Sequence, residues 1–327
     1  MISRRRFVTS AAAAGAFSLS GISLGQGVWP AKSVRVINPF PAGGGTDVFL
    51  RPLAAKMSQA FGHQLVVDNL GGAGGTVGAA AAAKAAPDGY TLFCGAVHHT
   101  IAESLYTRLP YSLERDFLPI TVLAYVPNVL VLHPKYTDIN SFADFLAYAR
   151  KNPGKLNFGS AGNGTSHHLT VELFKQMTGT FMTHIPYRGA GPMMQDLLAG
   201  SVDFAFDGLG TSAAQIKAGK LKALAVTSAK RVPAFPTIPT MDEVGIKGYQ
   251  ATTWYALWAI KGSPPEVVTR TQLEVAKSLQ DPGIKEFWFN QGAEPGGNTP
   301  AEFAKFIHAE IEKWGKVVKA SGAKIDL

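Results

Sequence analysis

Cysteine and charged residues are scarce in this chain. One cysteine, Cys94, occurs among 327 residues, so no disulfide can form within the chain. Charged residues make up 17% of the sequence against 46% hydrophobic residues, a balance that excludes a disordered protein and indicates a packed globular one. Cys94 itself lies in the apolar pattern TLFC at 91–94, which predicts a thiol buried in a core strand.

Beyond its first residues, the sequence has no apolar run long enough to span a bilayer. Residues 1–27 begin with a charged segment that contains Arg4, Arg5 and Arg6, continue through an uncharged Ala-rich stretch and end in small residues. This pattern predicts a signal peptide of the twin-arginine type, cleaved near residues 25–27, and hence a periplasmic protein. The alternative, a membrane anchor, fits less well because the apolar part is short and half alanine and glycine.

Signatures of nucleotide and nucleic-acid binding are also missing. The formal net charge is +8, yet the sequence has no run of five Lys or Arg and no alternation of aromatic with basic residues, so we expect no nucleic-acid partner. Glycine-rich loops occur at 39–47, 70–76 and 158–166, but none completes G-x-G-x-x-G and none carries a Walker lysine. The loop GLGTSA at 208–213 fits a looser fingerprint but lacks the acid about twenty residues later that would hold a ribose.

Metal ligands are poorly placed along the sequence. His98 and His99 are neighbours, as are His167 and His168, and neighbouring side chains point in different directions on a strand or a helix. Each pair therefore offers one ligand easily, and even with His184 the chain has no H-E-x-x-H motif or cysteine partner. We expect no metal and no cofactor, and we favour histidines that donate a hydrogen bond to a ligand carboxylate.

The loop PFPAGGGTD at 39–47 is the most informative segment that is present. It follows a β-branched strand at 34–38 and precedes a segment, 47–61, with apolar residues at helical spacing. Three glycines thus stand where a strand leads into a helix, with Thr46 or Asp47 placed to cap the helix. Free backbone N–H groups and the positive end of the helix dipole predict a site for an anion, either a carboxylate or a phosphate.

Strands and helices alternate from residue 33 to about 230, which predicts an α/β fold with parallel strands covered on both faces. The predicted strands are 34–38, 65–68, 91–96, 120–132, 156–160, 183–187, 202–206 and 222–227, and the predicted helices are 47–61, 75–86, 141–151, 165–178, 190–199 and 211–218. A strand at 252–260 and two helices near 264–280 and 301–321 follow. The strands 120–132 and 252–260 are predicted to cross between two lobes.

Several polar side chains have two interpretations each. Thr165 and Ser166 are helix caps or ligand donors, and Ser166 beside His167 would serve a hydrolase, although the segment misses the G-x-S-x-G elbow. Arg188 either faces an anion or lies at the surface. Asp207 follows a predicted strand, where it accepts from a ligand or caps the next helix.

Taken together, several segments resemble the Bug family, the extracytoplasmic solute receptors of tripartite tricarboxylate transporters. The segments that carry the resemblance are 39–47 (PFPAGGGTD), 88–92 (DGYTL), 162–169 (GNGTSHHL), 184–192 (HIPYRGAGP), 196–203 (DLLAGSVD) and 218–227 (AGKLKALAVT). The resemblance implies a type II-like periplasmic binding protein with a ligand cleft between two lobes. It implies a receptor, not an enzyme, that captures a small carboxylate and delivers it to integral-membrane permease subunits.

In that family the ligand carboxylate is held by backbone N–H groups, hydroxyls and waters from two opposing loops, which correspond here to 42–47 and 160–167. We place lobe one at 32–128 plus 250–327 and lobe two at 129–249, and we expect a monomer. The segment VHHT at 97–100 departs from the small residues that relatives commonly show there. The resemblance therefore implies no particular ligand, and the roles of His98 and His99 stay open.

The candidate ligand-binding residues are Phe40, Ala42, Gly43, Gly44, Gly45, Thr46, Asp47, His98, His99, Ser160, Gly164, Thr165, Ser166, His167, Arg188 and Asp207. Two other functions stay open. A periplasmic enzyme acting on a small carboxylic acid would use Ser166, a histidine and Asp207. A receptor for an amino acid or a sulfur anion would serve an ATP-driven importer instead.

Overall fold

A computed structural model describes residues 29–321 of the chain. The expected signal peptide at 1–27 and its cleavage region lie outside the described residues. Within residues 29–321, no helix is both long enough and apolar enough to cross a membrane.

The first half of the sheet contains parallel strands next to one long antiparallel strand. Its strands are β1 (Val34–Asn38), β2 (Leu65–Asn69), β3 (Thr91–Ala96), the start of β4 (Phe117–Leu132), β9 (Thr252–Ile260) and β10 (Glu294–Pro295). The order is β2-β1-β3-β9-β4, with β1 parallel to both of its neighbours and β9 antiparallel to β3 and β4. The alternating strands and helices predicted from the sequence therefore form the expected α/β architecture.

The second half of the sheet is built on the end of the same long strand. Its other strands are β5 (Asn157–Ser160), β6 (Thr183–Pro186), β7 (Phe204–Gly208) and β8 (Lys222–Val226). Residues Asn128 to Leu132 of β4 pair antiparallel with β7 and β8, and β7 continues through parallel pairs to β5 and β6. The sixteen-residue strand β4 thus belongs to both halves.

The helices cover the sheet and begin where strands end. They are α1 (Gly45–Phe61), α2 (Thr76–Ala83), α3 (Val97–Leu105), α4 (Leu113–Asp116), α5 (Phe142–Lys151), α6 (Ser166–Thr178), α7 (Ala190–Leu198), α8 (Leu209–Lys217), α9 (Pro265–Ser278), α10 (Pro282–Asn290) and α11 (Pro300–Ser321). A single 3-10 turn, Ala73–Gly75, precedes α2. In an open α/β sheet the carboxyl ends of the strands are where ligands bind, so the starts of α1, α3, α6, α7 and α8 are brought towards one region.

Two local predictions are wrong, and helix α3 was not predicted. Helix α1 begins at Gly45 with Gly44 as its N-cap, so neither Thr46 nor Asp47 caps it. Helix α3, which was not predicted from the sequence, follows β3 without a loop. It contains His98 and His99. Asp207 lies inside β7, not after it, because the strand begins and ends two residues later than predicted.

Candidate functional site

A cavity with about 340 Å³ of space lies at the carboxyl ends of the strands. It is lined by Phe40, Gly44, Gly45, Thr46, His98, Ala161, Thr165, Ser166, His167, Ala190, Thr253 and Tyr255. Eight of these lining residues were predicted from the sequence as ligand-binding residues. No lysine, arginine, aspartate or glutamate is among the lining residues, so the cavity wall has no formally charged acid or strong base.

Three helices start at this cavity without a side-chain cap. The N-caps of α1, α6 and α7 are Gly44, Thr165 and Gly189, and none of them accepts a hydrogen bond from its own helix through a side chain. The first N–H groups of an α-helix have no partner within the helix. These groups, with the positive ends of the helix dipoles, are therefore left to bind an anion in the cavity.

Glycine is required at the start of α1 because a side chain would collide with the opposite wall. A Cβ atom built on Gly45 would overlap the hydroxyl of Tyr255 and lie 2.6 Å from its Cζ atom. Gly43 adopts a φ of +80°, in the left-handed region that favours glycine. Gly43 and Gly45 thus let the turn tighten and bring the backbone close to the cavity.

Asp47 supports the glycine loop instead of facing the cavity. Its carboxylate accepts from the Gly43 N–H at 3.0 Å and from Arg51 Nε at 2.8 Å. Burial favours a higher pKa for Asp47, but the hydrogen bonds from Arg51, Gly43 and Asn69 outweigh it and lower the pKa below its ordinary value. Asp47 is therefore a charged brace for the turn.

The serine and threonine hydroxyl protons along the cavity are already donated to protein acceptors. Thr46 Oγ1 donates to Asn38 Oδ1 at 2.6 Å, and Thr165 Oγ1 donates to the Gly162 carbonyl at 2.7 Å. Thr253 donates to the side-chain oxygen of Asn128, so the 2.9 Å contact between Ser166 and Thr253 is donated by Ser166. These hydroxyls consequently offer lone pairs, not protons, to a ligand.

His98 and His99 are buried in α3 and take different positions. The His98 ring meets Phe40 edge-to-face at 4.5 Å and lines the cavity, and its buried Nε2 has no hydrogen-bond partner within residues 29–321. His99 is fully buried behind it, with Nδ1 3.0 Å from the Ala96 N–H. Burial holds the pKa of His98 well below its ordinary value and lowers that of His99 to about 4, so both imidazoles are neutral near pH 7.

His167 lines the cavity and has a carboxylate behind it. Its Nδ1 lies 3.6 Å from Oδ1 of Asp207, a side chain that is fully buried in β7. The other oxygen of Asp207 accepts from the hydroxyls of Thr211 and Ser212 at the start of α8. Burial lowers the pKa of His167, and the Asp207 carboxylate opposes that shift.

The remaining candidates lie around the cavity, not in its wall. Arg188 lines a second pocket of about 840 Å³ that shares Phe40 and Ala161 with the cavity. Ser160 is buried, with its Oγ 2.6 Å from His184 Nε2. The Gly164 N–H donates to His168 Nδ1 at 3.2 Å, which ties the loop before α6 to its own helix. Ala42 and Gly43 lie on the exposed side of the first loop.

The loops on the two sides of the site touch one another. A Cβ atom built on Gly191 would lie 3.0 Å from the Ala42 carbonyl oxygen, and one built on Gly74 would lie 2.9 Å from the Asn163 carbonyl oxygen. The loop before α1 thus packs on the start of α7, and the turn before α2 packs on the loop before α6. The first contact lies beside the cavity, and the second borders the adjoining pocket that contains Arg188.

Sequence reasoning missed Ala161, Ala190, Thr253 and Tyr255 in the cavity wall. Thr253 and Tyr255 belong to β9, which the sequence correctly predicts as an apolar strand but which carries no glycine loop. No local motif could have found them, because the place of β9 beside β3 and β4 becomes known only from the order of the strands in the sheet. Within residues 29–321, no three His, Cys, Asp or Glu side chains come together to hold a metal ion.

A family model described as the tripartite tricarboxylate transporter family receptor, TctC, matches residues 49–323. The chain belongs to this family. Members of the family are solute receptors of tripartite transporters, so the chain is a solute-binding receptor with an α/β periplasmic binding protein fold.

Named relatives agree with this membership. The chain is 37% identical over 299 residues to protein BugT of Bordetella pertussis, covering 91% of both chains. It is 38% identical to Rpa4515 of R. palustris, solved with adipate, with a TM-score of 0.87 and coverage of 91% of this chain and 100% of that one. It is 30% identical to MatC of Rhodopseudomonas palustris, solved with bound malate, with a TM-score of 0.84 and coverage of 89% and 100%.

Proposed function

We propose that the cavity binds a small organic carboxylate and that the protein delivers it unchanged to the permease subunits of a tripartite tricarboxylate transporter. The observation that carries the proposal is the start of three uncapped helices at one cavity. Adipate in Rpa4515 and malate in MatC support a carboxylate as the ligand.

The chemistry of the wall supports a carboxylate over a phosphate. Backbone N–H groups supply partial positive charge, which suits a group with a single negative charge. A phosphate carries more charge and is commonly met by Arg or Lys, and neither residue lines the cavity. Arg188 lines the adjoining pocket and is not among the residues that line this cavity.

We propose that residues 32–128 with 250–327 form one lobe and residues 129–249 the other. The long strand β4 and strand β9 join them, with Val126 paired to Thr253 and Pro127 to Thr252 at the crossing. The contacts of Gly191 with Ala42 and of Gly74 with Asn163 support a closed arrangement of these lobes. Opening would separate these loops and admit the ligand by a hinge motion.

A hydrolytic function is less well supported by the contacts of Ser166. A serine nucleophile needs a hydrogen bond to a general base. The Ser166 hydroxyl donates instead to Thr253, and His167 directs Nδ1 towards Asp207. The side chains of a serine-histidine-aspartate set are present but are not joined in that order, so we propose binding without turnover.

Native mass spectrometry of the freshly purified protein tests the proposal by detecting an acid that co-purifies. Calorimetry with adipate and with malate should then show saturable binding with one site per chain. Chromatography of the ligand after incubation should recover it unchanged. A converted ligand would support the enzyme, and binding of sulfate or an amino acid in preference to every carboxylate that lacks an amino group would support the alternative receptor.

We also propose export to the periplasm through the signal at 1–27 and a monomer as the working form. Cell fractionation with Arg4→Lys and Arg5→Lys substitutions tests the twin-arginine route, since lysines at both positions should retain the precursor in the cytoplasm. Light scattering of the mature chain tests the monomer, and a mass of twice the chain would contradict it.

A further inference from the structure

The cavity contains one imidazole with a buried carboxylate behind it and one without. His167 and His98 both line the wall, and both are at least nine-tenths buried. Asp207 Oδ1 stands 3.6 Å from His167 Nδ1, and neither atom has a hydrogen-bond partner among the residues that the structure describes. These two unpaired buried atoms face one another, so each is the natural partner of the other once the site tightens on a ligand.

Asp207 is held so that only one of its oxygens can serve His167. Oδ2 accepts from the Ser212 hydroxyl at 2.6 Å and also from Thr211, both in the first turn of α8. These hydroxyls fix the plane of the carboxylate, and its other oxygen, Oδ1, lies next to the His167 imidazole. A carboxylate at Nδ1 favours the tautomer with the proton on that nitrogen.

With the proton on Nδ1, the other ring nitrogen of His167, a residue that lines the cavity, is an acceptor. A Cβ atom built on Gly208 would lie 3.9 Å from His167 Nε2 and 3.4 Å from the Tyr255 hydroxyl, which places both polar atoms at one corner. As an acceptor, His167 Nε2 would repel a ligand carboxylate next to it, because the lone pairs of the nitrogen and of the carboxylate oxygen would face one another. A proton taken from solvent onto Nε2 removes this conflict and leaves an imidazolium between two carboxylates.

From this geometry, and resting on the proposed carboxylate ligand, we propose that ligand binding is coupled to proton uptake by His167, with Asp207 as the positioning residue. The titratable and charged groups that face His167 are Asp207 from β7, Tyr255 from β9 and His98 from α3. Burial raises the pKa of Tyr255 and lowers that of His98, so both side chains are neutral near pH 7.

The direction of the effect follows from linkage. In the empty cavity burial keeps the pKa of His167 below its ordinary value, so the ring is neutral near pH 7. A second carboxylate within contact distance raises that pKa in the complex. Affinity should therefore fall as pH rises between the two pKa values, by at most about tenfold per pH unit for one proton.

Calorimetry in phosphate and in Tris near pH 7, with malate and with adipate as probes, measures the protons taken up. We expect uptake approaching one proton per carboxylate bound for the natural chain. Asp207→Asn and His167→Gln should abolish it. His98→Gln is the matched control, because it removes from the same cavity a buried imidazole that has no carboxylate behind it. This substitution should change the affinity for the acid yet keep the proton uptake.

Zero uptake by the natural chain with either acid bound overturns the proposal while leaving the carboxylate receptor intact. Uptake that survives in folded Asp207→Asn also overturns it. Failure of both acids to bind at millimolar concentration counts against the proposed ligand class. In that case the position of the proton on the His167 ring tests the proton coupling separately. A long-range ¹H–¹⁵N spectrum of the empty protein should show the proton of His167 on Nδ1, and a proton on Nε2 overturns the proposal.

Discussion

Replacing Gly191 by alanine should weaken ligand binding without unfolding the protein. Gly191 is the second residue of α7, and its added Cβ atom would lie 3.0 Å from the Ala42 carbonyl oxygen and 3.6 Å from the Gly43 carbonyl carbon. Since real Cβ atoms seldom come this close to a backbone oxygen, the two loops would have to separate. The cost falls on the closed arrangement, because opening removes the contact.

The magnitude follows from the cost of overpacking, about 1–3 kcal/mol for an added group that its neighbours cannot avoid. A single methyl at 3.0 Å belongs at the lower end, and about 1.4 kcal/mol corresponds to a tenfold weaker affinity. Alanine is also preferred over glycine in helices by up to about 1 kcal/mol, a gain that both arrangements share. We therefore expect affinity to fall about fivefold to tenfold while the melting temperature of the empty protein holds or rises.

Calorimetry with adipate or malate and a thermal melt of the ligand-free protein check both parts. Gly283→Ala is a matched control, because Gly283 is likewise the second residue of its helix but is exposed, and its Cβ would meet only its own N-cap Asp281 at 3.3 Å. An unchanged affinity in Gly191→Ala would refute closure by these loops. A fall in melting temperature larger than that of the control would mean that the contact supports the whole fold.

Three other substitutions or treatments test the site. Gly45→Ala should abolish binding and destabilise the fold, measured by calorimetry and thermal melts, because its Cβ overlaps the Tyr255 hydroxyl; normal affinity would contradict the close approach. Cys94 is buried and burial raises its pKa, so a thiol reagent should label it only after unfolding. Asp47→Asn should cost about 1–3 kcal/mol in denaturant melts at neutral pH. Because the folded pKa of Asp47 is lowered, its stabilisation is present above the unfolded pKa near 3.8 and is lost as pH falls through the folded pKa, so the difference from the natural chain should vanish in acid.

The fold was largely predictable because segments with the two-residue apolar period of strands alternate with segments that have the 3.6-residue apolar period of helices. The apolar segment at 252–260 is strand β9 with the predicted ends, and the helix predicted at 165–178 begins one residue later as α6. Helix α3 escaped prediction because it follows β3 directly, with no turn residue to mark a boundary, and its VHHT start has weak helix propensity. Tertiary packing of the buried histidines decides the helix there.

The site was predictable where it is made of backbone and less so where it is made of side-chain pairs. Gly45 and Thr165 could be placed because glycine loops before helices have a local signature. The partner of His167 is Asp207, forty residues further along, and no spacing rule joins them. Asp47 was expected to face the ligand, yet Arg51 and Gly43 engage it, since a carboxylate one turn before an arginine pairs with it. Long-range pairs of this kind become visible only once the strands are registered.

The uncapped helix starts have a consequence for how such a receptor diverges. Backbone N–H groups are present whatever the side chain, so substitutions that keep the turns at Gly44 and Gly189 leave the anchor for the first carboxylate unchanged. Residues such as His98, at the other wall, are free to vary and thereby to change what the rest of the ligand must be. In the proposed complex the ligand carboxylate would cap these three helices, so a change of ligand would require new side chains in the cavity and no new fold.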